Sequence, residues 1–166
     1  DATGGQLFNL SSFQQDAQPV INAVLAACVE AATPVKVDIK PTSCPNPFNL
    51  KKKGVIPVAI LGTEDFDVNS IDPETIKLEG ECGPIRWDIE DVSTPYEDGF
   101  SDPPLEGECN TLGADGFPDL TVKFDSQCVA TTQSETVGRE TRIWSVSGTY
   151  INNNGKNIEF QAKDVV

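Results

Sequence analysis

The chain has 166 residues and carries 12 Lys and Arg against 26 Asp and Glu, a formal net charge of −14. It contains no His, which excludes Ser-His-Asp and Cys-His catalysis and every His-containing metal site. The negative charge argues against a nucleic-acid partner and against an anionic membrane surface, since both need a face of Lys and Arg. The longest apolar tract, residues 20–29, is too short to span a bilayer.

Five cysteines, at positions 28, 44, 82, 109 and 128, favour disulfides and therefore an extracellular or cell-surface location. The absence of Met, with Asp1 as the first residue, fits a secreted chain that has lost a signal peptide. Because five is odd, at least one cysteine is free or pairs with another chain, and Cys28 and Cys128 are the candidates. The alternative is a cytosolic protein with five buried thiols.

Residues 1–34 form a separate N-terminal segment. Val20, Val24 and Cys28 recur at helical spacing, which predicts a helix that Asp16 caps and that ends before Pro34. The helix either packs on its own domain or buries its apolar stripe on another subunit.

From residue 35 to residue 166 the pattern is that of a β domain. Short segments alternate apolar and polar residues, and no βαβ spacing is present, which predicts an antiparallel β-sandwich of about seven strands. Pro57 predicts an edge position or a bulge for its strand, because proline cannot donate to a ladder. Asn154-Gly155 predicts a hairpin turn. The expected strands cover residues 35–40, 54–62, 75–79, 85–89, 120–124, 141–151 and 158–162.

Residues 88–119 hold ten acidic residues and no Lys or Arg. A hard cation would remove the repulsion among these carboxylates, and Ca²⁺ takes 6–8 oxygen ligands from such loops. Residues 111–119 have part of the rhythm of a calcium loop, with Asp115 at the fifth position and Gly116 at the turn. The first and third positions lack carboxylates, and Val122 stands where a bidentate Glu is usual. A solvated acidic loop without a metal is the alternative.

Several motifs together resemble a β domain that recurs in secreted and cell-surface proteins of environmental bacteria. The family pattern is IDIKPGS-PN-N followed by KGV-PVAILGT-DFDV--ID and, later, IEDVNGDG-PDL. Here VDIKPTSCPNPFN is followed by KGVIPVAILGT, DFDV and IDP. The last family motif is split into IEDV and DGFPDL, which makes residues 93–114 an insertion. The resemblance covers residues 35–166.

The resemblance implies an accessory β module without an established catalytic activity. Its acidic motif implies a calcium site in which Asp91, Asp115 and Asp119 supply carboxylates. Glu97 or Asp98 would replace ligands that the insertion displaces. A disulfide from Cys109 to Cys82 or to Cys44 would pin this loop.

The leading functional hypothesis is therefore a non-catalytic, calcium-binding structural or adhesive module that associates with itself or with another surface protein. The alternative is a carbohydrate-binding module of a secreted enzyme system, in which an exposed aromatic residue stacks on a glycan. Its candidates are Trp87, Trp144, Tyr96, Tyr150 and Phe100, although the two tryptophans lie on alternating strands that favour core packing. An enzyme is not expected, because the clustered acids lie in a polar loop rather than in an apolar pocket that raises a pKa.

Overall fold

Seven β-strands in two antiparallel sheets make up just under half of the described chain, against one short helix, which confirms the prediction of a mainly β fold. The computed structural model describes residues 34–49, 51–96, 107–109, 111–133 and 140–166. Residues 1–33, which hold most of the predicted N-terminal segment, lie outside them. The strands are β1 (Lys36–Ile39), β2 (Val55–Leu61), β3 (Ile71–Leu78), β4 (Pro84–Glu90), β5 (Asp119–Asp125), β6 (Ile143–Ile151) and β7 (Asn157–Val165). Helix α1 spans Ser126–Thr132, and a 3-10 turn, Val68–Ser70, precedes β3.

The two sheets bury their alternating apolar side chains in one common core. The first sheet has the strand order β1-β2-β5-β4 and the second the order β3-β6-β7. Leu120 and Phe124 of β5 enter this core from the first sheet, and Val146 and Tyr150 of β6 enter it from the second. Period-two alternation therefore sorts each strand into a core face and an outer face.

The C-terminal hairpin has the turn that its sequence predicts. Strands β6 and β7 pair without a break from Ile143 opposite Val165 to Ile151 opposite Asn157. In the turn the amide of Gly155 donates to the carbonyl of Asn152 at 2.8 Å, and Gly155 has a φ of 73°. Glycine adopts this left-handed conformation without the cost that a Cβ imposes.

The prediction that Pro57 marks an edge strand or a bulge is wrong. Strand β2 lies between β1 and β5, and Pro57 pairs with Lys123 of β5 in an unbroken register. The carbonyl of Pro57 accepts the amide of Lys40 at 2.8 Å, just beyond the last β1 pair, Ile39 opposite Val58. The nitrogen of Pro57 therefore faces the side on which β1 ends, where no ladder bond is needed.

Helix α1 was not predicted, because seven residues are too few for a helical period to emerge. Asp125 caps it, since its Oδ1 accepts the amide of Gln127 at 2.9 Å. The amide of Ser126 donates to the carbonyl of Gly54 at 3.0 Å, and Val129 is buried in the core. The helix thus closes one end of the β2–β5 pair.

Strand β4 is an edge strand whose side chains are largely exposed. Trp144 on β6 is buried, as predicted, but Trp87 on β4 is 45 % exposed, which corrects the expectation of core packing. The four-stranded sheet faces a three-stranded one, so the second sheet leaves β4 uncovered within the described residues. Alternation in the sequence predicts which face of the sheet a side chain lies on. Whether that face is buried depends on how many strands the opposite sheet has.

Candidate functional site

The carboxylate of Asp119 holds the acidic segment against the ends of strands in the first sheet. Asp119 is fully buried at the start of β5. Its Oδ1 accepts the amide of Gly62 at 3.0 Å, and its Oδ2 accepts the amides of Val92 and Ser93 at 2.9 and 3.0 Å. Burial raises the pKa of Asp119, the three amides oppose the rise, and the nearby carboxylate of Asp115 adds to it. Asp119 therefore joins the ends of β2 and β4 to the start of β5.

The two halves of the split acidic motif meet at Asp91. Its Oδ1 accepts the amide of Asp115 at 3.0 Å, and its Oδ2 accepts the amide of Gly116 at 2.9 Å. The carboxylate of Asp115 in turn accepts the amide of Phe117 at 3.0 Å. Asp91, the first carboxylate that the resemblance implies, is therefore adjacent to Asp115, although 24 positions separate them in the chain.

Two contacts fix the insertion, residues 93–114, near its two ends. Thr94 donates its hydroxyl to the carbonyl of Gly113 at 2.7 Å. A disulfide joins Cys109 to Cys44 in the loop between β1 and β2. Of the two partners that the sequence left open for Cys109, the structure selects Cys44.

The second disulfide joins Cys82 to Cys128, which corrects the suggestion that Cys128 is the unpaired cysteine. Cys82 lies in the turn between β3 and β4, and Cys128 lies on α1. The short helix presents Cys128 to that turn, an arrangement that the sequence pattern did not indicate. The fifth cysteine, Cys28, is outside the described residues.

The five predicted metal ligands have three different outcomes. Asp91 and Asp115 are exposed and adjacent. Asp119 is buried and binds backbone amides. Glu97 and Asp98 lie outside the described residues. Among the residues that are described, no three Asp, Glu or Cys side chains form a group that could hold a metal ion by themselves.

The donor chemistry at Asp91 and Asp115 suits a hard cation. Both side chains offer carboxylate oxygens, the ligand type that Ca²⁺ prefers, and residues 88–119 contain no Lys or Arg. Each carboxylate oxygen has a second lone pair beyond the one that its amide bond uses. Calcium therefore fits these residues as a partial ligand set, which carbonyl oxygens, water or further carboxylates would complete.

A second acidic cluster, which was not predicted as a site, lies buried where β1 meets β7. Ser93 donates a short hydrogen bond from its hydroxyl to Asp38 Oδ2. Asp164 Oδ2 accepts the amide of Ile39 at 2.5 Å, and its Oδ1 accepts the amide of Val165 at 2.7 Å. A single acid inside an apolar alternation, such as Asp38, was the available sequence signal.

Burial raises the pKa values of both acids in this second cluster. The pKa of Asp164 rises to about 7, because burial outweighs its two amide bonds and the carboxylate of Asp38 adds to the rise. Burial likewise raises the pKa of Asp38, against the bond from Ser93. These carboxyl groups link the two sheets and present no exposed surface to a ligand.

The aromatic candidates for glycan stacking are mostly unavailable. Trp144 and Tyr150 are buried in the core, and Tyr96 is half-buried. Phe100 lies outside the described residues. Trp87 is the one candidate among the described residues that is exposed.

No helix in the described ranges is long and apolar enough to cross a membrane. Comparison of the chain with protein-family models, with curated proteins and with solved structures finds no match.

Proposed function

We propose that this chain is a non-catalytic, extracellular β-sandwich module that binds calcium and has a structural or adhesive role. The module associates with copies of itself or with another surface protein. The resemblance of residues 35–166 to a recurring secreted β domain supports this proposal. The two disulfides support an oxidising compartment, since such bonds persist mainly outside the cytosol.

The observation that carries the calcium proposal is the meeting of Asp91 with Asp115 and Gly116 across the insertion. The Asp91 carboxylate accepts the backbone amides of residues 115 and 116, which places the acidic residue Asp115 next to Asp91 in a segment whose carboxylates repel one another. A bound divalent cation would offset that repulsion.

The protein residues have separate roles in this proposal. Asp91 and Asp115 would contribute carboxylate oxygens, and Glu97 or Asp98 would supply more charge from the insertion. Asp119 acts as a positioning residue, because its amide bonds to Val92 and Ser93 set the direction in which the chain leaves β4. Calcium when bound would supply charge neutralisation and a cross-link between the two halves of the motif.

Thermal unfolding of the full chain in calcium, in magnesium and in chelator tests the site. A ligand that binds only the folded state stabilises it by about 2.7 kcal/mol at 100 times its Kd. We expect calcium to raise the Tm by roughly 5–10 °C and magnesium to raise it less. Asp91→Asn should abolish most of the calcium response.

Glu159→Gln is the matched control, because it removes one negative charge at an exposed position on β7 of the second sheet. It should keep the full calcium response. Equal midpoints in calcium and in chelator for the wild type would contradict the proposal and favour the solvated loop. An equal loss of response in both variants would instead indicate nonspecific screening of the net charge.

A further inference from the structure

The edge strand β4 exposes a stripe of three large apolar side chains. Ile85, Trp87 and Ile89 are 56, 45 and 41 % exposed. Trp87 pairs with Val122 and Ile89 pairs with Leu120, and both partners point into the core. Residues directly opposite each other lie on one face of a sheet. The stripe therefore lies on the core-facing side of the first sheet, at a strand that the second sheet does not bury.

The opposite edge of the same sheet is covered. Val37, Asp38 and Ile39 of strand β1 are buried, and the carboxylate of Asp164 on β7 accepts a hydrogen bond from the amide of Ile39. Strand β4 has no such cover in the part of the chain that the structure describes, and all but one of its residues are exposed. An uncovered edge presents a row of backbone groups that can pair with another strand.

The sequence of β4 is complementary to itself in one antiparallel register. With Trp87 opposite Trp87 of a second copy, Ile85 falls opposite Ile89 and Arg86 falls opposite Asp88. Trp87 and Ile89 then share one face and both charge pairs share the other, while Ile85 lies at the register shift of β4 against β5 between Pro84 and Arg86. Arg86 makes no ion pair within the described residues, and Asp88 uses only Oδ1, which accepts the amide of Ile89 at 2.9 Å.

We propose that β4 pairs with β4 of a second copy around a two-fold axis at Trp87. The pairing would join two four-stranded sheets into one continuous sheet, with two Arg86–Asp88 pairs across the axis. This inference deepens the self-association in the proposed function by naming its surface and its partner. Stable interfaces bury about 1,200–2,000 Å², so a seven-residue strand with one apolar stripe makes a reversible dimer that depends on concentration.

Charge exchange across the axis tests the register. Arg86→Asp places Asp opposite Asp at both pairs, and Asp88→Arg places Arg opposite Arg. By sedimentation velocity, each single variant should raise the dimer Kd roughly 10-fold or more, because like charges directly opposite destabilise a strand pair. The double variant R86D/D88R should restore the wild-type Kd.

Mixing the two single variants provides the sharpest result. Arg86→Asp and Asp88→Arg are complementary to each other, so their mixture should form heterodimers with a Kd near that of the wild type. Self-association through any other surface would leave both single variants unchanged, and that result would overturn the proposal.

A wild type that stays monomeric at every soluble concentration would also overturn the proposal. If its exposed indole instead responded to added oligosaccharide, the stripe would be assigned to a glycan. The Tm in calcium and in chelator is measured separately for each variant. If the protein stays monomeric but calcium still raises its Tm, only the strand-pairing inference is rejected. If the protein forms the dimer but calcium does not raise its Tm, only the calcium site is rejected.

Discussion

At the scale of single residues, the acidic site depends on one position without a side chain. The amide of Gly62 donates to Asp119, and a Cβ on Gly62 would lie 2.1 Å from the carbonyl oxygen of Pro118. That atom belongs to the backbone and cannot rotate away. The end of β2 and the start of β5 approach closely only because residue 62 is glycine.

Gly62→Ala should therefore lower the free energy of unfolding by about 3 kcal/mol, the upper part of the usual cost of overpacking. Chemical denaturation with urea measures this change. Gly113→Ala is the control, because a Cβ there meets nothing within 4 Å. Equal stability of the two variants would show that the segment before β5 moves freely away from β2.

At the scale of elements, the two disulfides cross-link different parts of the fold. Cys44–Cys109 ties the insertion to the loop before β2, and Cys82–Cys128 ties the turn before β4 to α1. Their sequence separations of 65 and 46 residues are similar enough for a direct comparison. Removal of either one should cost about 2–4 kcal/mol in unfolding free energy.

Only the first disulfide should affect calcium binding. Replacing Cys44 and Cys109 by Ser frees the insertion, which carries Glu97 and Asp98, so we expect a smaller calcium-induced rise in Tm. Replacing Cys82 and Cys128 by Ser should leave the rise intact while lowering the Tm itself. If calcium raised the Tm equally in both double variants, the insertion would contribute no ligand.

The elements also show what local sequence can and cannot predict. The seven strands and the turn at Gly155 were predicted, because alternation and turn chemistry are local properties. The central place of β2, despite Pro57, and the exposure of Trp87 were not. Both depend on which strands become neighbours and how wide the opposite sheet is, and neither is encoded within the strand.

In the candidate site, too, some features could be predicted from local sequence and others could not. The acidic segment and its insertion were identifiable from charge and motif, and the contact between Asp91 and Asp115 agrees with that interpretation. The burial of Asp119 and the cluster of Asp38 with Asp164 were not identifiable. Those features require the ends of β2, β5 and β7 to come together, and only long-range pairing determines this.

At the scale of the whole molecule, three buried carboxyl groups control how stability depends on pH. The pKa of Asp164 rises to about 7, and burial also raises the pKa values of Asp38 and Asp119. The folded protein thus holds protons that the unfolded chain releases near an ordinary pKa of 3.8. The contribution of Asp164 to stability is therefore fully present below that value and is lost as the pH rises through about 7.

The contribution of Asp164 to the unfolding free energy should therefore fall with rising pH between about pH 5 and pH 8, by up to about 1.4 kcal/mol per pH unit. Asp164→Asn should reduce this dependence of the unfolding free energy on pH, because an asparagine side chain does not ionise. Asp65→Asn should keep the slope of the wild type. If Asp164→Asn and the wild type showed the same slope over this range, the raised pKa of Asp164 would be contradicted.

The bond between Thr94 and Gly113 also bears on how this molecule can vary. Because the two ends of the insertion are fastened to each other, extra residues between them lengthen a loop that is already closed. Doubling the length of such a loop costs only about 0.6 kcal/mol. The two sheets can therefore carry inserts of very different length and composition at this place. This makes the position suited to displaying foreign peptides and to divergence among related proteins.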